Sequence, residues 1–248
     1  MIAEILLKEK KIRIDLSKPI DISIPLRAGE KNVNAFFIPP VSMEPFRIGT
    51  FIGDVNQGGS CNVFSIQFNP HGNGTHTETL GHISNEKYPI NNFLKKFFFE
   101  SQLITVDPEK KGDDRAVTKN QLEKILKGSC AESLIIRTLP NDDRKLNAQY
   151  SGTNPVFVEE EAALYIRELN VQHLILDIPS IDKENDDGKL LAHHAFWNYP
   201  KNPRATTTIT ELAYIPDNVK DGIYFLNLQI ASFENDASPS KPLLFEYL

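Results

Sequence analysis

SQLITVDPEKKGDDRAVTKNQLEKILKGSCAESLIIRTL, residues 101–139, reads as strand, helix and strand in succession. SQLITVD (101–107) and SLIIRTL (133–139) are short apolar, β-rich runs of strand length. Between them Thr118 and Gln121 form a T-x-x-Q capping box, Leu122, Ile125 and Leu126 follow at helical spacing, and Gly128 ends the helix. A second helix is expected from about Val158 to Leu169, with Ala162, Ala163, Ile166 and Leu169 as its apolar stripe. HLILDIPS (173–180) then reads as the next strand. This alternation predicts βαβ units with parallel pairing. The charge run DPEKKGDDR (107–115) mixes both signs and reads as a solvated loop.

Outside this block, KIRIDLS (11–17), NVFSIQF (62–68) and IYFLNLQIASF (223–233) also read as strands. No helix pattern separates them, so antiparallel pairing is expected. No linker, low-complexity tract or repeat divides residues 1–248, which predicts one domain of mixed α/β class.

Composition narrows the partners. A hydrophobic fraction of 40% and a charged fraction of 24% are ordinary for a globular chain. A net charge of −6 argues against a nucleic-acid partner, because phosphate binding needs clustered lysine and arginine. No apolar run is long enough to span a bilayer, so no membrane partner is expected. Cys61 and Cys130 make no disulfide framework and point to a reducing compartment. The opening MIAEILLKEKKIRID has too short an apolar patch for a signal peptide, and a cytoplasmic location is expected.

HGNGTHTETLGH (71–82) holds three of the six histidines and only one large apolar residue, Leu80. Asn69-Pro70 and Gly72-Asn73-Gly74 are turn chemistry, so the segment is expected to be mostly loop. His76 and Glu78 are two apart, and on extended backbone they share a face. They could offer an imidazole nitrogen and a carboxylate oxygen to one cation. His71 lies five residues before His76, and the intervening glycines would let it converge on the same point. This donor set suits zinc, manganese or iron better than calcium or magnesium. LLAHHAFWNYP (190–200) adds His193 and His194, and the strand-like Thr207–Thr210 carries Glu211 at its end, a plausible second half-shell. His173 reads as a surface or edge residue without a role. No serine sits in a G-x-S-x-G elbow, so water rather than a side chain is the expected nucleophile.

GTHTETLGH resembles the H-x-G-T-H-x-D-x-P-x-H signature of the metal-dependent cyclase family, which includes bacterial kynurenine formamidases and isatin hydrolases. DLSKPI (15–20), DIPSID (177–182) and HHAFW (193–197) followed by ITEL (209–212) resemble further elements of that family, in order. The resemblance implies a single-domain α/β fold with a mixed, partly barrel-like sheet and flanking helices, of the swivelling β/β/α type. It implies a divalent metal, zinc first and manganese second, as one or two ions per chain. The implied ligands are His71, His76, Glu78, His193 and Glu211, with His82 as the proton-transferring residue. Three positions depart from the signature. His71 stands one residue further from His76, with Gly72 at the aligned place; Glu78 replaces aspartate; Leu80 replaces proline.

Where kynurenine formamidases carry a tryptophan, PLRAGE (25–30) has Arg27, expected to bind a carboxylate-bearing substrate, while Phe36, Phe37 and Phe46 offer aromatic surface. The implied function is hydrolysis of a small amide, formamide or cyclic amide by metal-activated water. The alternatives are a true N-formylkynurenine formamidase of tryptophan catabolism and a metal-stabilised, non-catalytic binding protein. The expected partners are a small-molecule substrate and further copies of the chain, as a dimer or tetramer.

Overall fold

The computed structural model describes residues 1–7 and 9–248, and its centre is a ring of seven strands. These are β1 (His76–Glu78), β2 (Phe98–Val106), β3 (Ser133–Thr138), β4 (His173–Leu176), β5 (Thr208–Glu211), β6 (Gly222–Ile230) and β7 (Ala237–Phe245). Their order is β6-β2-β3-β4-β5-β1-β7, and pairing of β6 with β7 closes the barrel. β2 through β5 are mutually parallel. The junctions β5–β1, β1–β7, β7–β6 and β6–β2 are antiparallel. The single-domain α/β architecture with a mixed, barrel-like sheet is the one expected.

The predicted crossovers are present. α1 (Lys119–Leu126) connects β2 to β3, and α2 (Glu160–Glu168) connects β3 to β4. Both halves of the Thr118–Gln121 capping box form, and Lys127 closes α1 in the left-handed conformation. Strands covered on both faces read as unbroken apolar runs, and their side chains alternate between the two faces. Leu134 and Ile136 of β3 pack with Leu122 of α1 and Ile166 of α2. Ile135, between them, packs with Leu103, Ile175 and Leu226 in a second core within the barrel.

Several elements differ from their reading in sequence. α3 (Leu191–Trp197) is a third crossover, so β5 is parallel to β4. It carries no side-chain cap and is bounded by left-handed Leu190 and Asn198, so the usual start signals are missing. β7 was not legible because Pro239 and Pro242 lie within it, and proline argues against a central strand. The charge run at 107–115 is a hairpin rather than a plain loop, Glu109–Lys111 pairing with Asp114–Val117. Among the described residues no helix is long and apolar enough to cross a membrane.

His173 is the largest correction outside the site. Only 5% exposed, it places Nδ1 2.9 Å from Thr208 Oγ1 and its ring 4.0 Å from that of Phe99. Burial, with the Lys96 and Arg204 cations adding to it, pushes its pKa down to about 3 from 6.5. The unfolded chain therefore binds a proton between these values that the folded chain refuses. This contribution to stability is complete above about pH 6.5 and is lost progressively as pH falls towards about 3. Urea unfolding of the wild type should show stability falling by up to about 1.4 kcal/mol per pH unit from this group. His173→Asn should flatten that acid limb, and parallel pH profiles for the two proteins would contradict the assignment.

Candidate metal centre

The polar stretch 71–82, expected to be mostly loop, folds as a helical turn (Pro70–Asn73), strand β1 and a 3-10 turn (Leu80–His82). Residues 72–80 are all buried. A core segment so poor in apolar side chains is tolerable because its threonine hydroxyls and the Asn73 amide are paired. Thr77 Oγ1 meets Thr210 Oγ1 at 2.7 Å, Thr75 accepts from the Ile24 N–H, and Thr79 caps the following turn by accepting from the Gly81 N–H.

Strand register builds the first part of the site. His76 and Glu78 share a face of β1, and His76 lies opposite Glu211 of β5. Ile209, opposite Glu78, packs with the α2 and α3 side chains, so this face is the one covered by helices. α3 brings His193 down onto it. Asp182 accepts from the Ala192 and His193 backbone N–H groups and also holds His193 Nδ1 at 2.6 Å. His194, on the same helix, points away to the Tyr199 carbonyl at 3.2 Å.

The extra residue before His76 does not remove His71 from the site. It sits in the helical turn capped by Asn69, and its Nδ1 lies 3.1 Å from Glu78 Oε2. Each of three histidines thus has one nitrogen engaged and the other turned towards Glu78. His76 Nδ1 bonds the Gly74 carbonyl, His193 Nδ1 bonds Asp182, and His71 Nε2 meets Asp236 Oδ2 at 3.0 Å. The inward atoms are His76 Nε2, 3.4 Å from Glu211 Oε2, His193 Nε2, 3.1 Å from Glu78 Oε1, and His71 Nδ1. Fixing the outer nitrogen in this way is how a protein orients a histidine towards metal.

Two of these inward atoms test whether a cation fits. His76 Nε2 and Glu78 Oε2 are buried and have no hydrogen-bond partner, although imidazole nitrogens surround Glu78 Oε2. Orphaned buried polar atoms of this kind are costly without a ligand. Three imidazoles and two carboxylates crowd together here, His193 Nε2 bonded to Glu78 Oε1, and His71, His76 and Glu78 by themselves lie close enough to hold a divalent cation.

Neighbouring charges override burial for several groups of the cluster. Burial lowers the pKa of His193, but Asp182, Glu78 and Glu211 outweigh it and raise it to about 10. Burial likewise opposes His71, and Asp236 and Glu78 raise it to about 10. Burial would keep Glu78 protonated, yet His82, His193 and His71 hold its pKa well below the ordinary carboxylate value. A cation bound here displaces protons from histidine.

A cavity of about 210 Å³ opens onto this cluster, lined by Phe36, His71, His82, Ser180, Lys183, Leu190 and His193 among others. His82 stands at its edge, stacked on His71 with ring centroids 4.4 Å apart. Its Nδ1 is 3.8 Å from Glu78 Oε2 and 3.7 Å from Asp236 Oδ2. Arg27 is not brought to this cavity: it is exposed, and its backbone N–H is tied to Asn32. Of the aromatic candidates Phe36 lines the cavity, while Phe37 is 79% exposed and Phe46 packs against Phe51. Two site residues were missed in sequence, Asp182 and Asp236. Asp182 lies within DIPSID, so a signal existed without a role; Asp236, in a polar loop before an unrecognised strand, had none.

Comparison with known proteins agrees with the fold. The chain resembles a "predicted metal-dependent hydrolase" from Bacillus stearothermophilus at 18% identity and a TM-score of 0.63, covering 92% of this chain and 98% of that one. Isatin hydrolase A from Labrenzia aggregata, bound to benzyl benzoate, superposes with a TM-score of 0.68 at 13% identity, covering 92% and 93%. Isatin hydrolase A from Ralstonia solanacearum gives 0.64 at 12% identity, covering 92% and 91%. At such identities the shared property is the fold. No protein of curated function matches the sequence. The cyclase family model matches residues 14–183, a stretch that carries His71, His76, Glu78, His82 and Asp182, while the fold itself adds His193 and Glu211. The chain belongs to the cyclase family.

Proposed function

We propose that the protein is a metal-dependent hydrolase of a small amide, with a cyclic amide favoured over N-formylkynurenine. The observation that carries this reading is the convergence of His71, His76, Glu78, His193 and Glu211, two of their inward atoms unpartnered, beside a cavity-facing His82. A divalent cation held by these five residues would supply Lewis-acid polarisation of the carbonyl and activation of water. Nitrogen and oxygen donors favour zinc, then manganese. Glu78 has two carboxylate oxygens on different histidines, enough to serve one ion or to bridge two. His82 takes a proton from the attacking water and delivers it to the leaving nitrogen, a task suited to imidazole near neutral pH.

The cavity supports a neutral, flat substrate. Phe36 offers a ring wall and is held in a left-handed backbone conformation, φ 57°, of the strained kind that recurs at ligand sites. Lys183, the lysine among the described lining residues, is already paired with Asp114 at 2.8 Å, so no lysine or arginine there is free to hold a substrate carboxylate. The isatin hydrolases among the structural neighbours favour a ring amide in the same sense.

The test is hydrolysis of a panel of formanilides, cyclic imides and ring lactams, N-formylkynurenine included, by protein loaded with zinc or with manganese. Turnover should require metal, be lost to chelator, and be faster on ring amides than on N-formylkynurenine. Tight metal binding with no turnover across the panel would instead establish a binding protein.

A further inference from the structure

Asp236 belongs to none of the ligand positions above, yet its carboxylate is built into the site. It immediately precedes β7, whose first residue, Ala237, is registered with Glu78. Thr79 fixes its backbone, donating its N–H to the Asp236 carbonyl at 3.0 Å, while the Thr79 hydroxyl donates to the neighbouring Tyr88 carbonyl at 2.5 Å. Gly81 allows the 3-10 turn to pass against it, because a Cβ there would come within 3.0 Å of Asp236 Cβ. Held in this way, the single oxygen Oδ2 faces two stacked rings, with His71 Nε2 at 3.0 Å and His82 Nδ1 at 3.7 Å.

We propose that Asp236 is a positioning residue for His82: it accepts a hydrogen bond from His82 Nδ1–H and leaves Nε2 free to carry the proton. This rests on the hydrolase reading above. Nδ1 has two carboxylates within reach, Glu78 and Asp236. Once Glu78 is committed to a cation, Asp236 is the acceptor that remains. The separation of 3.7 Å is longer than a hydrogen bond, but the His82 side chain is 30% exposed and has no competing bond. A small rotation of its ring closes the gap, and hydrogen bonds of this kind often tighten only in the working complex. Asp182 supplies the precedent within the site, a carboxylate that fixes Nδ1 of His193 and so aims its Nε2. A carboxylate oxygen can accept from both rings at once, so the bond to His71 does not exclude the one to His82.

The test uses zinc-loaded protein with ¹⁵N-labelled histidine, in wild type, Asp236→Asn and Gly81→Ala. Wild-type His82 should be the Nδ1–H tautomer. Asp236→Asn keeps an acceptor oxygen for His71 Nε2, so at saturating zinc it should retain KM and zinc content while shifting His82 towards Nε2–H and lowering kcat by about 10–100-fold, and Asp236→Glu should restore part of the loss. Gly81→Ala, which crowds Asp236 without removing its charge, should move His82 in the same direction by less. In a His82→Ala background, Asp236→Asn should cost less than about twofold, because residues that act as a unit are not additive. An unchanged His82 tautomer, an equal loss with and without His82, or a loss that tracks zinc content would each overturn the assignment. Tautomer shift in a protein that hydrolyses nothing would overturn the hydrolase reading and leave Asp236 as the group that orients His82.

Discussion

Replacing Glu78 with glutamine should release the metal and, with it, more than about a hundredfold of turnover, exceeding the 10–100-fold typical of losing an outer partner of a ligand. Glu78 is the most connected group in the site, within 4.0 Å of His71, His76, His82 and His193. Glutamine keeps its size and one acceptor oxygen but not its charge, and charge is what a cation shared among three imidazoles needs. Glu78→Ala would be a poorer test. It removes the common partner of several buried groups, and breaking a buried pair by deleting one member costs about 3–5 kcal/mol of folding stability. Calorimetric zinc titration of folded Glu78→Gln, checked by circular dichroism, is the deciding measurement. Wild-type zinc affinity in that variant would remove Glu78 from the centre and the proposed mechanism with it.

His82→Ala is expected to behave in the opposite way. Zinc content should stay near that of the wild type while kcat falls by about a hundredfold or more, the scale of a lost general acid/base. KM should change little, because the ring lies at the edge of the cavity beside the reacting centre. The geometry makes this a sharp test. Glu78, His82 and His193 are themselves close enough to hold an ion together, so distance alone does not separate ligand from proton carrier. Exposure and distance do: the His82 side chain is 30% exposed and its nearest carboxylate oxygen stands 3.7 Å off, whereas the outer nitrogens of His71, His76 and His193 are hydrogen-bonded at 3.0 Å or less. If His82→Ala loses zinc as Glu78→Gln does, His82 is a ligand and the proton carrier must be sought elsewhere.

The features legible in the chain are those set by local geometry. Two-residue alternation puts His76 and Glu78 on one face wherever the backbone is extended, and the Thr118–Gln121 box caps a helix through atoms three residues apart. Doubly covered strands announce themselves as unbroken apolar runs, so β2, β3 and β4 and their two helices were readable one by one. The one-residue shift at His71 was visible too, but not its outcome, because a helical turn at Pro70–Asn73 absorbs it.

Whatever depends on elements far apart in the chain was decided by the fold. Glu78 meets His193 only because β1 inserts between β5 and β7 and α3 packs on the face that this creates. The choice of His193 over His194 follows from Asp182, which holds one ring from behind while the other turns to Tyr199. Asp236 joins the site because a proline-bearing strand closes the barrel beside Glu78, and Arg27 is left outside because its loop is tied to Asn32. His173, at the start of a strand between two neighbours, is buried for the same reason. Local preferences act over a few residues, whereas strand order and burial are settled by which faces must leave water together, and that is a property of the whole barrel.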